Sequence, residues 1–228
     1  MKKFTTILTL AALALASLTT TSFAQTTKEG DLVFQDYYHE GVCIVRQTIK
    51  GGAIHEGKAY DVNYYGLADK NHNIVVPVVY MSIESVWKNR ALVVDKDYNN
   101  GIIDFNNNVI IPFEYDIITS TSDGKTVAAF KHKKWAIFSS ETGKRITPHF
   151  FDDISMHWTE GGPYHFNGFV DGHYCPVAIN YKWGYINEQG EVVIPIVFDD
   201  AHLCNDDGKY EVEFNGKTMY IEFEKEEK

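Results

Sequence analysis

Residues 181–200 read YKWGYINEQGEVVIPIVFDD, and the order of residue types in that stretch decides the fold. A β-favouring run, Trp183 to Ile186, meets a polar turn at Gln189-Gly190. A short branched run, Val192-Val193-Ile194, then leads to Pro195, with an aromatic, Phe198, three residues beyond. Two such runs joined by residues that tolerate positive φ specify a β-hairpin. Working outward, the same pattern opens at Tyr65-Gly66, Asn100-Gly101 and Trp135-Ala136. It closes at Pro77, Pro112 and Pro148, each followed after three residues by Tyr80, Tyr115 and Phe151. The intervening turns are Asn71-His72-Asn73, Asn106-Asn107-Asn108 and Thr142-Gly143.

Gly66 and Gly101 stand 35 residues apart, as do Gly101 and Ala136, whereas 48 separate Ala136 from Gly184. Self-similarity at a fixed period of about 35 residues means a repeat architecture, each unit burying its apolar face against its neighbours. A third β-rich run links each unit to the next, as in Ala91–Val94 and Tyr210–Phe214. No segment after the N-terminus holds a 3.6-residue apolar period. The expectation is an all-β domain of tandem hairpin or meander repeats, three strands per unit, with each proline ending its return strand. Three strands rather than four favour an open twisted array, with a small closed propeller-like ring as the alternative. Incomplete fragments at Tyr37–Arg46 and Lys217–Phe223 suit the ends of an array.

The 182–201 copy, with Lys-Trp-Gly, an aromatic–aliphatic–Asn strand, a Gly turn, Val-Ile-Pro and an aromatic–Asp pair, closely resembles the WG repeat of bacterial proteins. The other three copies are degenerate, Tyr65, Asn100 and Ala136 replacing a motif residue. The resemblance implies a β-repeat scaffold with no shared catalytic residues. It makes Trp135, Trp183, Gly184, Gly101, Gly66, the four prolines and the four aromatics structural.

Lys2 and Lys3 precede an uncharged stretch, and Ser22-Phe23-Ala24 offers small residues at a cleavage site. This predicts a signal peptide over 1–24, cleaved after Ala24, and export to the periplasm or medium. A linker over 25–36, one repeat domain over 37–223 and a charged tail over 224–228 follow. No later segment approaches the roughly 20 apolar residues a spanning helix needs. The formal charge of −10 argues against nucleic-acid partners. Three cysteines, Cys43, Cys175 and Cys204, leave at least one thiol without an internal partner.

The extra residues of the third unit, about 157–176, carry the candidate binding residues Trp158, Tyr164, His165, Phe166, His173 and Tyr174, with Trp87 outside them. Aromatic rings beside Asn and His on a long loop suit a protein or glycan ligand. His149, His157, His165 and His173 recur every eight residues near Cys175, but no spacing fixes two on one face. No metal and no cofactor are therefore expected. The paired acids Asp152-Asp153 and Asp199-Asp200 occupy equivalent repeat positions, which predicts a recurring contact to turn amides rather than acid–base chemistry. The functional expectation is an exported, non-enzymatic binding or scaffold protein. The alternative is an envelope hydrolase or metal-dependent enzyme using the insertion.

Overall fold

The computed structural model describes residues 31–121, 124–147, 150–157, 165–169 and 174–222. The expected signal peptide, Pro148, His149, Trp158, Tyr164, His173 and the charged tail lie outside them. Every regular element among the described residues is a β-strand, arranged as a succession of small antiparallel sheets.

The first sheet holds β1 (Leu32–Phe34), β2 (Val42–His55), β3 (Lys58–Asp69) and β4 (Ile74–Tyr80), in that order. The second holds β5 (Ser82–Trp87), β6 (Arg90–Val94), β7 (Asn100–Asp104) and β8 (Val109–Tyr115). In the third, β9 (Ile117–Ser120), β10 (Thr126–Lys131) and β11 (Lys134–Ser139) form the sheet, extended by the bridges Trp135–Phe151 and Phe138–Arg145. The fourth begins with β12 (Asp153–Ile154) and detours through the ribbon β13 (Met156–His157) and β14 (His165–Phe166). It is completed by β15 (Cys175–Ile179), β16 (Lys182–Ile186) and β17 (Val192–Phe198). The fifth holds β18 (Asp200–Cys204), β19 (Tyr210–Phe214) and β20 (Lys217–Ile221).

A full unit therefore has four strands, not three. The segment that follows each proline-plus-three aromatic, read in the sequence as a connection, is the first strand of the next sheet. Its start is pinned by one repeated hydrogen bond: the amides of Met81, Asp116, Asp152 and Asp199 donate to the carbonyls of Val94, Phe130, Ala178 and Glu213. β1 likewise lies within the stretch expected to be linker and pairs with β2.

The proline does not end its strand either. β4, β8 and β17 run three residues past Pro77, Pro112 and Pro195. Each is an edge strand with a register shift opposite the Trp-Gly position. A missing N–H costs no ladder bond at an edge, and the bulge absorbs the ring. The shift also explains the glycine: a Cβ on Gly184 would lie 2.6 Å from the Ile194 carbonyl oxygen, and one on Gly66 2.5 Å from that of Val76. In the third unit the pairing reduces to two bridges, and Ala136 is accommodated there.

One register is constant. Tyr65, Asn100, Trp135 and Trp183 each pair with the aromatic three residues past their unit's proline: Tyr80, Tyr115, Phe151 and Phe198. Facing sheets then share apolar cores. Val127 and Ala129 of β10 pack with Leu92, Ile102 and Ile111 of the second sheet. Ala128, on the opposite face of the same strand, packs with Phe151 and with Ile154 and Val177 of the fourth. This alternation is what period-2 side chains on a two-faced buried sheet require.

Turn chemistry recurs as well. The Oδ1 atoms of Asp69, Asp95, Asp104, Asn187 and Asn205 each accept backbone N–H groups two and four residues ahead. Residues at positive φ complete these loops, among them His72, Tyr98, Asn107 and Gly190.

Candidate functional site

The first strands of the second to fifth sheets, β5, β9, β12 and β18, turn toward one cavity of about 1350 Å³. The residue seven positions past each unit's proline reaches it in every case: Glu84, Thr119, Ser155 and His202. The next position adds Ser85, Ser120, Met156 and Leu203. The motif position contributes Asn100, Trp135 and Trp183, the crossing into the third sheet contributes Asp116, and the start of β12 contributes Asp153. A repeat delivers this convergence without any special loop, because equal offsets in successive sheets bring equivalent side chains to one place.

The walls are defined by hydrogen bonds. The Asn100 amide donates to the Asp116 carbonyl at 2.9 Å, tying β7 to the start of β9. The Asn167 amide donates to Ser155 Oγ at 2.8 Å, and the Asn167 N–H to the Ser155 carbonyl at 3.1 Å. The Asp153 carboxylate accepts from the Ile154 amide at 2.8 Å. Trp135 is 7% exposed and rests on Phe130, their ring centroids 4.9 Å apart; Trp183 is half-buried. Among the described residues, lining carboxylates come from Glu84, Asp116 and Asp153, and neither lysine nor arginine lines the cavity.

The lysines that precede the two tryptophans are held elsewhere. Lys134 pairs with Asp152, whose other oxygen accepts the Asn180 amide of the next sheet's turn at 2.7 Å. Lys182 pairs with Asp199, whose other oxygen accepts the Asn215 amide at 2.7 Å. Lysine first and the turn amide second hold both carboxyls below the usual carboxylate range. Each aspartate thus clips its own sheet's Lys-Trp strand to the following sheet. Asp152 and Asp199 are turn and clip residues, not an acid–base pair.

The insertion divides. Phe166 is buried at 1% exposure in the core between the third and fourth sheets, and Phe169 packs on the same cluster. Gly168 approaches Thr121 so closely that a Cβ would lie 2.2 Å from its methyl carbon. This returning leg is packing, so Phe166 is not a surface binding residue. Its base supplies Met156 and Asn167 to the cavity wall. His165 is placed by its backbone in β14, and Tyr174 packs edge-on against Tyr210, 5.9 Å between centroids. Trp87 sits apart from the cavity: its indole N–H donates to the Gly124 carbonyl at 3.1 Å, with its ring against that glycine. Arg90 spans the same junction, donating to the Ser140 and Glu141 carbonyls at 3.2 and 2.8 Å.

Cys43 and Cys175 are buried, Cys204 is partly exposed, and none of the three is in a disulfide. Burial pushes the Cys175 thiol up, the opposite of what a nucleophile needs. Asn205 spends its carboxamide oxygen on the amides of Asp207 and Lys209, which makes Asn205–Gly208 a turn. No group of three or more metal-ligating side chains converges among the described residues.

The family model described as WG containing repeat matches residues 101–135 and 183–217. Each match runs from the Gly of the motif or its Trp across one sheet junction into the next unit. No curated protein matches the chain. Among solved structures, the crystal structure of HIRA(644-1017) is similar at a TM-score of 0.36 and 7% identity, covering 73% of this chain and 56% of that one. The hemopexin fold protein CP4 from cow pea is similar at a TM-score of 0.21 and 9% identity, covering 74% and 88% respectively. This chain thus spans a little over half of the HIRA fragment. Likeness of that degree says nothing about what this chain binds.

Proposed function

We propose that the protein is an exported, non-enzymatic repeat scaffold that holds a protein or glycan ligand in the cavity between its inner strands. One observation supports this most directly: four successive sheets bring the same repeat position, Glu84, Thr119, Ser155 and His202, to a cavity that Trp135 and Trp183 also line. Aromatic faces flanked by convergent polar groups are the usual chemistry of a binding cleft. Export rests on the basic start, the uncharged stretch after it and the small residues before Gln25. The insertion serves this site through its base, Met156 and Asn167.

Affinity capture from the native envelope fraction tests the reading when three baits are compared. Trp183→Ala combined with Ser155→Tyr, which fills the cleft, should abolish capture of whatever the wild-type chain retains. Trp158→Ala combined with Tyr164→Ala should leave capture intact. The reverse pattern moves the site to the insertion and overturns the assignment to the cleft.

A further inference from the structure

We propose that the cleft takes a basic peptide, an extended segment bearing lysine or arginine side chains; this rests on the cleft being the binding site. The first argument is charge. Among the described residues Glu84, Asp116 and Asp153 line the cavity and no lysine or arginine does, within a chain of formal charge −10. Charge of one sign in a cleft with low-dielectric walls concentrates the opposite charge there. The repeat's own lysines cannot neutralise these acids, because Asp152 and Asp199 hold Lys134 and Lys182. Glu84 accepts one bond from Ser82 and Asp153 one from a backbone amide. A carboxylate has about four acceptor positions, so both keep capacity for an incoming ammonium or guanidinium. Trp183, half-buried at the same cavity, adds an aromatic side chain of the kind that attracts cations.

The second argument is the backbone. β5, β9, β12 and β18 are each the terminal strand of their sheet on the cavity side. Alternate N–H and C=O groups of a terminal strand point away from its sheet. On β12 and β18 Asp153 and Asp200 already hold the Ile154 and Ala201 amides, and Asn167 holds the Ser155 carbonyl, so an extended chain pairs along β5 and β9. A lone amine uses none of these groups. The volume, about 1350 Å³, also exceeds the roughly 300–1,000 Å³ of a small-molecule pocket. Peptide main chain on the edges of β5 and β9, with basic side chains between the carboxylates and Trp183, uses what the cleft presents.

The test measures binding to the purified chain by calorimetry and tryptophan fluorescence, with hexalysine, spermine, hexaglutamate and a neutral β-1,4-linked oligosaccharide as probes. Hexalysine should bind, more tightly than spermine, and hexaglutamate should not. The triple variant Glu84→Gln, Asp116→Asn, Asp153→Asn should weaken hexalysine at least about tenfold, with an unchanged far-ultraviolet circular dichroism spectrum. Hexalysine that fails to bind, or binds the triple variant equally well, overturns the inference. Spermine binding as tightly as hexalysine overturns the peptide assignment. Oligosaccharide binding that is lost in Trp183→Ala but unaffected in the triple variant overturns the ligand class while leaving the cleft in place. Hexalysine binding insensitive to both sets of substitutions overturns the cleft itself.

Discussion

At the scale of single residues, each letter of the repeat has a mechanical reason. The glycine of Trp183-Gly184 lets a bulged edge strand approach, and Gly184→Ala must push β17 away from contacts of 2.6 and 2.8 Å. A loss of about 1–3 kcal/mol is expected in urea denaturation, whereas Ala136→Gly, where an alanine already fits, should lose no more than about 1 kcal/mol. Trp135 is 7% exposed and part of the core between the third and fourth sheets. Truncation to alanine should cost about 3–5 kcal/mol, unless the neighbouring ring of Phe130 collapses into the space. These roles were partly legible in the sequence, because the Trp/Tyr/Asn position and the aromatic beyond the proline keep constant spacing. What the sequence did not reveal is that these two positions face each other across strands in all four units. Spacing along the chain does not announce register.

At the scale of elements, two devices repeat: the turn in which Asp or Asn accepts two amides, and the aspartate that clips one sheet to the next. Asn187→Ala removes acceptors for Gln189 and Glu191 at an exposed turn and should cost about 1 kcal/mol. The clips carry a pH signature. In the folded protein the Asp152 and Asp199 carboxyls are held below the ordinary carboxylate range, chiefly by hydrogen bonds from Lys134 and Lys182. A depressed folded value means the contribution is complete above the unfolded carboxylate pKa and is lost as pH falls through the folded one. Denaturation midpoints should therefore drop on acidification below about pH 4, and Asp152→Asn combined with Asp199→Asn should flatten that drop. An equally steep acid loss in the double variant would remove the clips from the account. The turns were readable from Asn and Gly, and the paired acids from their equivalent positions. The fourth strand was not. Ile117–Ser120 and Asp153–Ile154 are short and carry polar residues, so no apolar alternation marks them, and only their pairing with β10 and β15 makes them strands.

At the scale of the whole described chain, the cavity is a consequence of repetition. A constant offset of seven residues from each proline brings Glu84, Thr119, Ser155 and His202 to one cavity. That offset was present in the sequence, but nothing in a linear reading says that four inner strands converge. The insertion drew attention instead, because aromatic residues on a broken period look like a ligand surface. Phe166 and Phe169 there obey a different demand, the filling of a core where the fourth sheet is interrupted. The long ribbon of β2 and β3, exposed from Lys50 to Asp61, was equally unannounced by the repeat.

Hydrogen exchange with mass spectrometry, on the free chain and on the chain saturated with hexalysine, probes the convergence of inner strands most directly. The account requires protection over 82–87, 117–120, 153–156 and 200–204 together, four segments far apart in sequence. Protection confined to 157–176 or to the 50–61 ribbon, with those four segments unchanged, would contradict it.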